Sequence, residues 1–318
     1  MYGSSGENVS RGQRGAAVVL AMGVVALAAV AATAILVSQN IWSRQNQLSS
    51  EYAQVQVMVQ AGVDWVRAVL SDDRRMSNID HLGEPWAQQI PAMPIENGQF
   101  EGHIQDQQGM FNLNNLAQDG KVNFAQLASF KRLLSLLDLP AALADNLVDW
   151  IDIDNTPRSQ SSAEDEYYLS RNPPHFSANR PLTDVTELGQ IRGFDNATLA
   201  RLRPFVTALP GSTAINVNTA PPEVLAAVIE GLGIGGARML AMQRDRAYFR
   251  DQADFLSRLP QGGTGAGGPA VEADDISTSS DYFIASLRVS IGEAQAQGTV
   301  LLARMDAGWP VIVWRKFS

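Results

Sequence analysis

The longest apolar stretch of the chain lies close to its beginning. Residues 16–37 carry no charged side chain, and a helix of about 20 apolar residues crosses the roughly 30 Å hydrocarbon core of a bilayer. A cleavable secretory signal has a shorter apolar run, of about 7 to 15 residues, followed by a cleavage site. The pattern therefore predicts a transmembrane segment over residues 16–37 that is not removed as a secretory signal.

Beyond this segment, apolar residues recur at helical spacing with polar residues between them. The positions that define the repeat are Tyr52, Val55, Val59, Gly62, Trp65 and Val69. This period is typical of a helix with one buried face. We therefore expect one long helix that continues out of the membrane to about Leu70 and packs on a globular domain with its second half.

Two other parts of the chain alternate as strands do. The stretch "GQFEGHIQDQQGMFNLNNL" indicates one or two strands broken by Gly109, after a proline-containing loop over residues 71–98. The C-terminal part predicts three strands, at Tyr282–Ile291, Gly298–Met305 and Pro310–Phe317, with "AQAQG" and "DAG" as the turns. The residues between these two parts have a mostly helical pattern.

This order of elements predicts an α+β fold: a long N-terminal helix, an antiparallel sheet and an inserted all-α domain. The expected divisions are a leader (1–15), a transmembrane segment (16–37), the helix continuation and first strands (38–118), the inserted domain (119–270) and the strands that complete the sheet (271–318). The glycine-rich stretch Gln261–Pro269 is the expected exit from the inserted domain, because glycine populates many backbone conformations.

The composition argues against several classes of chemistry. The chain has no cysteine, which removes disulfides, thiolate metal sites and thiol catalysis. Its three histidines, His81, His103 and His175, have no metal-ligand spacing, so a zinc centre or a Ser/His/Asp triad has little to be built from. We expect no catalytic activity. The net charge of −9 argues against broad contact with nucleic acid and is compatible with binding hard cations.

The residues before the apolar run carry positive charge. Arg11 and Arg14 lie within four residues before Gly15, so the positive-inside rule leaves the short N-terminus in the cytoplasm and sends the rest of the chain outward. A short basic leader ending in glycine, followed by a helix that is half membrane-embedded and half packed on a domain, resembles the type IV pilin and pseudopilin family. The resemblance implies processing by a prepilin peptidase between Gly15 and Ala16, with methylation.

The fifth position after that cleavage site is Leu20. The pilin family usually has a glutamate there, which neutralises the amino terminus of a neighbouring subunit, and a carboxylate in lipid is costly unless it is paired. A subunit without it is expected at the end of a filament. Among the pseudopilins, this departure is similar to the general secretion pathway protein K family of type II secretion, which also has an inserted helical domain.

The stretch "DNLVDWIDIDNTPRSQSSAEDEYY" places two carboxylate clusters on either side of a polar turn. Such a loop can supply several of the six to eight oxygen ligands of calcium, although it lacks the glycine of an EF-hand turn. The alternative is that these acids only cap and solvate helix ends. The stretch resembles the calcium-binding segment of the protein K family, except that Ser162 replaces a usual glycine. The candidate ligands are Asp149, Asp152, Asp154, Glu164 and Asp165.

A second acidic loop, "EADDISTSSDYF", precedes the first C-terminal strand. Its candidate ligands are Asp274, Asp275, Thr278 and Asp281. Pseudopilins often hold calcium in the C-terminal part of the globular domain, so this loop is a weaker candidate for a second ion. A turn rich in Asp and Ser is equally ordinary as a solvated connection.

Two segments, "TDVTELGQIRGFDNATLARLRPF" and "INVNTAPPEVLAAVIEGLGIGGARMLAMQRDR", have the pattern helix, glycine turn, helix. They resemble helix-hairpin-helix motifs of DNA-binding proteins. Gly231, Gly233 and Gly236 also match GxGxxG, but a helical pattern rather than a strand precedes them, so a dinucleotide site is not indicated. We interpret the two units as a packed scaffold.

Taken together, the resemblance implies a minor pseudopilin of type II secretion that joins minor pseudopilins I and J in a tip complex, which initiates or caps the pseudopilus. It implies a single-pass inner-membrane protein with a periplasmic globular part, other secretion components and a prepilin peptidase as partners, and calcium as the cofactor. The competing hypothesis is a membrane-anchored DNA-binding protein. Arg192, Arg238 and Arg244 lie near the glycine turns, but no lysine cluster accompanies them, so we expect no nucleic acid partner.

Overall fold

The computed structural model describes residues 11–159, 162–260, 269–305 and 308–318. In these residues the helices are α1 (Arg11–Met76), α2 (Phe124–Leu136), α3 (Ala142–Ile151), α4 (Asp165–Leu169), α5 (Asn196–Leu202), α6 (Pro222–Val228), α7 (Gly233–Arg246) and α8 (Gln252–Ser257). The strands are β1 (Ile90–Ile95), β2 (Gly98–Asp106), β3 (Phe111–Asn112), β4 (Ala117–Gln118), β5 (Lys121–Val122), β6 (Val206–Thr207), β7 (Ile215–Asn216), β8 (Ile276–Ser277), β9 (Tyr282–Ile291), β10 (Ala294–Ala303) and β11 (Val311–Phe317). Most of the predicted leader and glycine-rich exit, and part of the predicted "DAG" turn, lie outside the described residues.

Helix α1 has two halves with different surroundings. Its most apolar window has a mean hydropathy of 2.6 and is not buried at all, and α1 is the one helix of the described chain that is long and apolar enough to cross a membrane. In its second half one face is fully buried. The buried residues are Val55, Val59, Val63, Val66 and Leu70. Burying side chains of this size stabilises the fold by roughly 1.5–3 kcal/mol each, which fixes α1 on the globular part.

The helix does not end near Leu70, as the apolar repeat predicted, but at Met76. The additional turn is polar, so the repeat could not show it. Two basic residues, Arg74 and Arg75, lie in the last turn, where positive charge stabilises the carbonyl end of a helix. Asp73 of the same turn is paired with Arg304 of the C-terminal region.

Five strands form one antiparallel sheet in the order β1-β2-β9-β10-β11. Along β2 and β9 buried residues alternate with more exposed ones, as expected when one face of a sheet is covered. That face packs on the second half of α1. The shared core contains Phe100, Phe283, Leu287, Val289 and Val300. The predicted combination of a long helix with an antiparallel sheet in an α+β fold is therefore confirmed.

Strands β1 and β10 differ most from the prediction. Strand β1 lies inside the predicted loop because Pro91 and Pro94 interrupt its alternation; as an edge strand it tolerates them. Strand β10 begins at Ala294, so "AQAQG" is part of the strand and not a turn. The real turn is the two residues between the paired Ile291 and Ala294, with Gly292 at φ 57°. Tight hairpin turns of this length favour left-handed glycine.

The residues between β2 and β9 carry the remaining helices and the short strand pairs β3 with β6, β4 with β5, and β7 with β8, so this helical part is not purely α-helical. It has its own apolar core, distinct from that of the sheet, in which Phe111, Phe130, Leu147, Val224 and Phe249 are buried. Side chains of Asn123 and Asp195 cap α2 and α5. The first hairpin-like unit begins with a 3₁₀ turn, Val185–Gln190, rather than an α-helix.

The helical part joins the sheet at the end of α1 opposite the apolar half. Asn216 Nδ2 donates to the Asp80 carbonyl oxygen at 3.1 Å and to Asp106 Oδ2 at 3.0 Å. Thr219 Oγ1 donates to the same Asp106 oxygen at 2.5 Å. The bulk of the helical part is thereby attached beyond the C-terminal end of α1.

Candidate metal centre

The first acidic loop connects the end of α3 with the start of α4. Helix α3 buries eight of its ten residues, including Leu147 and Trp150, and Asp152 is its C-cap residue. Glu164 is the N-cap residue of α4, without a side-chain capping bond. Because the two helices are packed in one core, their ends bring the two carboxylate clusters of the sequence together.

Three carboxylates meet in this loop. Asp152, Asp154 and Glu164 each place a carboxylate oxygen within 4.8 Å of the other two. Asp154 is exposed, whereas Asp152 and Glu164 are buried, with 2% and 4% exposure. The convergence of these acids across the polar turn agrees with the calcium interpretation.

Several oxygens of the loop are buried without a hydrogen-bond partner. They are Asp149 Oδ1, Asp152 Oδ1 and Glu164 Oε1. Burying a carboxylate oxygen without a partner is costly. A hard divalent cation takes oxygen ligands of this kind, and Asp152 and Glu164 both belong to the group of converging carboxylates. Helix capping alone leaves these oxygens without a partner, whereas a bound cation would give them one.

The same loop shifts the pKa values of its acids upward. Burial, followed by the charges of Asp149 and Asp152, raises the pKa of Glu164 to about 8. Burial, followed by the charges of Asp154 and Asp149, raises the pKa of Asp152 to about 6. Within the described residues, the cation paired with these acids is Arg158, whose Nη1 lies 3.9 Å from Asp152 Oδ2. One distant guanidinium does not neutralise the acids, so the loop favours a proton or a metal ion.

The remaining predicted ligands have other partners. Asp149 Oδ2 accepts from the backbone N–H of Arg158 at 3.1 Å, which leaves its other oxygen for the loop. Asp165 Oδ1 accepts two hydrogen bonds from Ser177, one from Oγ at 2.6 Å and one from the backbone N–H at 2.9 Å. Asp165 thus anchors the loop to the following segment. Ser177 gave no signal in the sequence, because only the fold brings it to Asp165.

Ser162 closes the turn between the two clusters. Its Oγ accepts from the Ser159 backbone N–H and donates to the Ser159 carbonyl oxygen, both at 2.9 Å. The residue that departs from the usual glycine therefore has a structural role in the polar turn.

The second acidic loop is not arranged in this way. Asp275 Oδ1 accepts from Gln126 Nε2 at 2.6 Å, and Asp281 faces Arg74 at 3.9 Å. The carbonyl oxygen of Thr278 accepts from the Asp80 backbone N–H at 2.9 Å. Within the described residues, Asp274, Asp275 and Asp281 do not form a group of three carboxylates with oxygens within 4.8 Å. The second ion stays a prediction that this geometry does not favour.

A different carboxylate group, which the sequence did not reveal, lies at the end of α1. Its members are Asp73, Asp80 and Glu84. The guanidinium of Arg304 is fully buried among them and pairs with Asp73 and Asp80. This group already contains a cation supplied by the chain itself, so it is an ion-pair cluster rather than a metal site.

Two of the three arginines near the glycine turns are used inside the helical part. Arg244 Nη1 donates to the carbonyl oxygens of Val217 and Ala220, at 3.0 and 2.5 Å. The Arg192 guanidinium lies 4.7 Å from the centre of the Tyr167 ring. Only Arg238 is exposed. These contacts support the scaffold interpretation of the hairpins over phosphate binding.

Comparisons with known proteins agree with this architecture. Two family models described as type II secretion system protein K match residues 109–211 and 215–278. A type II secretion system protein K from Pseudomonas aeruginosa is 32% identical over 309 residues, which cover 94% of this chain and 90% of the relative. One from Klebsiella pneumoniae is 32% identical over 320 residues, with 94% and 95% covered.

A solved structure also matches, that of a complex of GspK, GspI and GspJ from the type II secretion system of enterotoxigenic Escherichia coli. The matching chain has a TM-score of 0.73 and 26% sequence identity, and the match covers 86% of this chain and 99% of that chain.

Proposed function

Because the chain belongs to the type II secretion system protein K family, and is thus a minor pseudopilin, we propose that it works in the complex at the tip of the pseudopilus. The observation that carries this proposal is the position of the helical part, beyond the C-terminal end of α1 and bound to the residues that follow it. A subunit stacked further along the filament would need that space.

Helix α1 also supports a position at the tip of the pseudopilus. Leu20 lies on the exposed apolar half of α1, 70% exposed, and offers no carboxylate to the amino terminus of a neighbouring subunit. A terminal subunit has no neighbour on one side, so it needs no such partner. The bulk of the helical part and the absence of a glutamate at position 20 both favour a place at the end of the filament.

We propose minor pseudopilins I and J as the direct partners. The related GspK was solved in a complex with GspI and GspJ, and the match extends over nearly all of that GspK chain. The shared fold of the two chains supports this proposal. Other secretion components would act on the assembled tip.

We also propose a single-pass inner-membrane location, with the N-terminus in the cytoplasm and the globular part in the periplasm. The apolar half of α1 supports the span, and the flanking Arg11 and Arg14 support the orientation. A prepilin peptidase would cleave between Gly15 and Ala16. The protein would act by assembly rather than by catalysis.

Calcium is the cofactor we propose for the first acidic loop. Asp152, Asp154 and Glu164 would hold the ion, and Asp149 would add its orphaned oxygen. The ion would neutralise the buried acids and fix α3 to α4. It would stabilise the helical part and supply no catalytic step.

The direct test is co-expression of the full chain with the I and J proteins of the same secretion system in membranes. After detergent extraction, affinity purification of this chain should recover both partners in one peak on size exclusion. Recovery of neither partner would contradict the tip-complex proposal. A gel shift with duplex DNA serves as the check on the competing hypothesis, since phosphate contacts give steeply salt-dependent binding.

The position in the filament is tested with Leu20→Glu. If the missing carboxylate helps to keep the subunit at the tip, this variant should appear along the filament shaft when it is labelled and imaged. A variant that still labels only the tip would show that the bulk of the helical part is sufficient. The matched control is Leu27→Glu, a similarly exposed apolar position of the same half of α1 that is not at the fifth position.

A further inference from the structure

The ion-pair cluster at the end of α1 contains more acid than base. Asp73, Asp80 and Glu84 surround one guanidinium, that of Arg304, whose side chain is 0% exposed. Arg304 pairs with Asp73 at 2.6 Å and with Asp80. Full ionisation of the three carboxylates would leave excess negative charge in a buried place, which is costly.

Glu84 is the carboxyl of this group that lacks an ion pair. Its Oε2 accepts from the His81 backbone N–H at 2.9 Å and from Trp86 Nε1 at 2.7 Å. In the described parts of the chain no basic side chain lies within 4.0 Å of it. Burial, with smaller contributions from the Asp73 and Asp80 charges, raises the pKa of Glu84 to about 7, although its two hydrogen bonds oppose the shift.

Other titratable groups face the cluster from the elements packed against it. Arg74 of α1 pairs with Asp281, which precedes β9. Burial lowers the pKa of His81, whose ring stacks on Tyr248 at 4.1 Å. Burial raises the pKa of Asp106, at the end of β2, to about 6. Burial also raises the pKa of Asp73, so Asp73, Glu84 and Asp106 all hold a proton more tightly than a free acid does.

The segment that contains Glu84 leads from α1 to β1 and contacts the helical part through Asp80. We refer to residues 77–88 as the junction loop. In it, the Asp80 backbone N–H donates to the Thr278 carbonyl oxygen at 2.9 Å, and the Asp80 carbonyl oxygen accepts from Asn216. The buried Trp86 ring packs edge-on against Phe283 of the sheet, at 5.1 Å. A change in the charge of Glu84 thus acts on a loop that holds the helical part in place.

We propose that Glu84 is a proton-dependent contact that holds the junction loop on the end of α1, and that loss of its proton loosens the loop and the attachment of the helical part. The protonated carboxyl removes one negative charge from the cluster and gains an O–H donor. The folded state binds this proton more tightly than the unfolded chain. The contribution of Glu84 to stability is therefore present at mildly acidic pH and is lost as the pH rises through about 7.

The indole of Trp86 provides a local readout, because its N–H donates to Glu84. The full chain in detergent micelles would be labelled with 5-fluorotryptophan, and the Trp86 resonance would be assigned among the six tryptophans with Trp86→Phe. We expect this resonance to shift with a midpoint near pH 7. The step should disappear in Glu84→Gln.

Two control variants identify the titrating group. Glu101→Gln removes an exposed carboxyl of β2 that is paired with Arg288, and it should leave the Trp86 step unchanged. His81→Gln should also keep the step, because the ring of His81 is not the proposed proton carrier. A step that survives in Glu84→Gln, or that disappears in His81→Gln, would overturn the proposal.

Hydrogen exchange of the wild-type protein gives an independent measurement that does not depend on a variant folding well. After correction for the intrinsic effect of pH, protection of the junction loop should fall several-fold between about pH 6 and about pH 8. Protection of the buried face of α1, residues 55–70, should change little. Equal protection of the junction loop at both pH values would contradict the proposal.

Discussion

The Arg304 guanidinium lies 2.6 Å from the Asp73 carboxylate and thereby joins the end of strand β10 to the last turn of α1. The two residues are 231 positions apart in the chain. Arg304 Nη1 also donates to the Leu70 carbonyl oxygen at 3.3 Å, and the guanidinium lies 4.5 Å from the centre of the Phe283 ring. Arg304 therefore links helix α1, the sheet and the junction loop.

Replacing this arginine should destabilise the fold strongly. In Arg304→Met the carboxylates of Asp73 and Asp80 stay buried without their cation, and breaking one side of a buried ion pair costs about 3–5 kcal/mol. Urea unfolding followed by circular dichroism measures the loss. Arg315→Met, at an exposed position of β11, should cost less than about 0.5 kcal/mol. Similar losses in both variants would contradict this account.

The helix glycine Gly62 should not tolerate a larger side chain. A Cβ at this position would lie 2.7 Å from Phe100 Cε2 and 3.0 Å from Leu287 Cδ1. Gly62→Val should therefore cost about 1–3 kcal/mol through overpacking, despite its better helix propensity. Ala61→Val, at the neighbouring exposed position, is the matched control and should cost about 0.5 kcal/mol or less. Equal unfolding midpoints for the two variants would show that the helix and sheet can separate freely here.

Calcium should raise the melting temperature of the protein, and a chelator should reverse the effect. A ligand present at about 100 times its Kd stabilises the folded state by about 2.7 kcal/mol, which corresponds to roughly 4 °C for a protein of this size. Asp152→Asn and Glu164→Gln should each remove most of the shift, since both acids line the loop. The control is Glu166→Gln, an exposed carboxyl of α4, which should keep it. If calcium does not change the melting temperature of the wild-type protein, the calcium proposal is wrong and the acids of the loop only cap and solvate helix ends.

Protons should compete with calcium for the same loop. Because the pKa of Glu164 is raised to about 8, this carboxyl is largely protonated at neutral pH when no metal is bound, and metal binding must displace the proton. Calcium affinity should therefore weaken as the pH falls from about 8 to about 6. Isothermal titration in two buffers of different ionisation enthalpy should show the release of protons. An affinity that does not depend on pH would contradict the proposed role of Glu164.

Without calcium the same carboxyl affects stability in the opposite direction. Its folded pKa lies above the ordinary value of 4.5, so the folded state binds more protons and stability falls as the pH rises toward about 8. Melting temperatures in chelator should therefore be higher near pH 6 than near pH 8. Glu164→Gln should reduce this dependence, and saturating calcium should reverse it in the wild-type protein. A chelator-treated protein with the same melting temperature at both pH values would disagree with this sign.

The sequence pattern was sufficient where local order decides the structure. The strand at Tyr282–Ile291 was predicted with its observed bounds, because its alternation has no interruption. Where the structure depends on contacts between segments distant in the chain, the pattern did not predict the elements correctly. The prolines of β1 concealed an edge strand, and the polar residues after Leu70 concealed the last turn of α1.

The acidic loop shows the same division. Asp152, Asp154 and Glu164 could be proposed as ligands because acids on both sides of a polar turn can converge when the flanking helices pack together. Asp165 accepts a hydrogen bond from Ser177, and Asp275 accepts one from Gln126. Both hydrogen bonds join segments that are distant in the chain. No spacing rule in a single sequence reveals these contacts.

The amino-acid sequence by itself determined the membrane helix, the long amphipathic continuation, the α+β class and the family resemblance, because these depend on local periodicity and short motifs. Only the tertiary structure decided that the buried arginine just after β10 meets the end of α1, and that Glu84 there has no cation of its own among the described residues. The physical reason is that the pairing and protonation of a charged side chain depend on which distant groups the fold brings within a few ångströms and on how much water it removes.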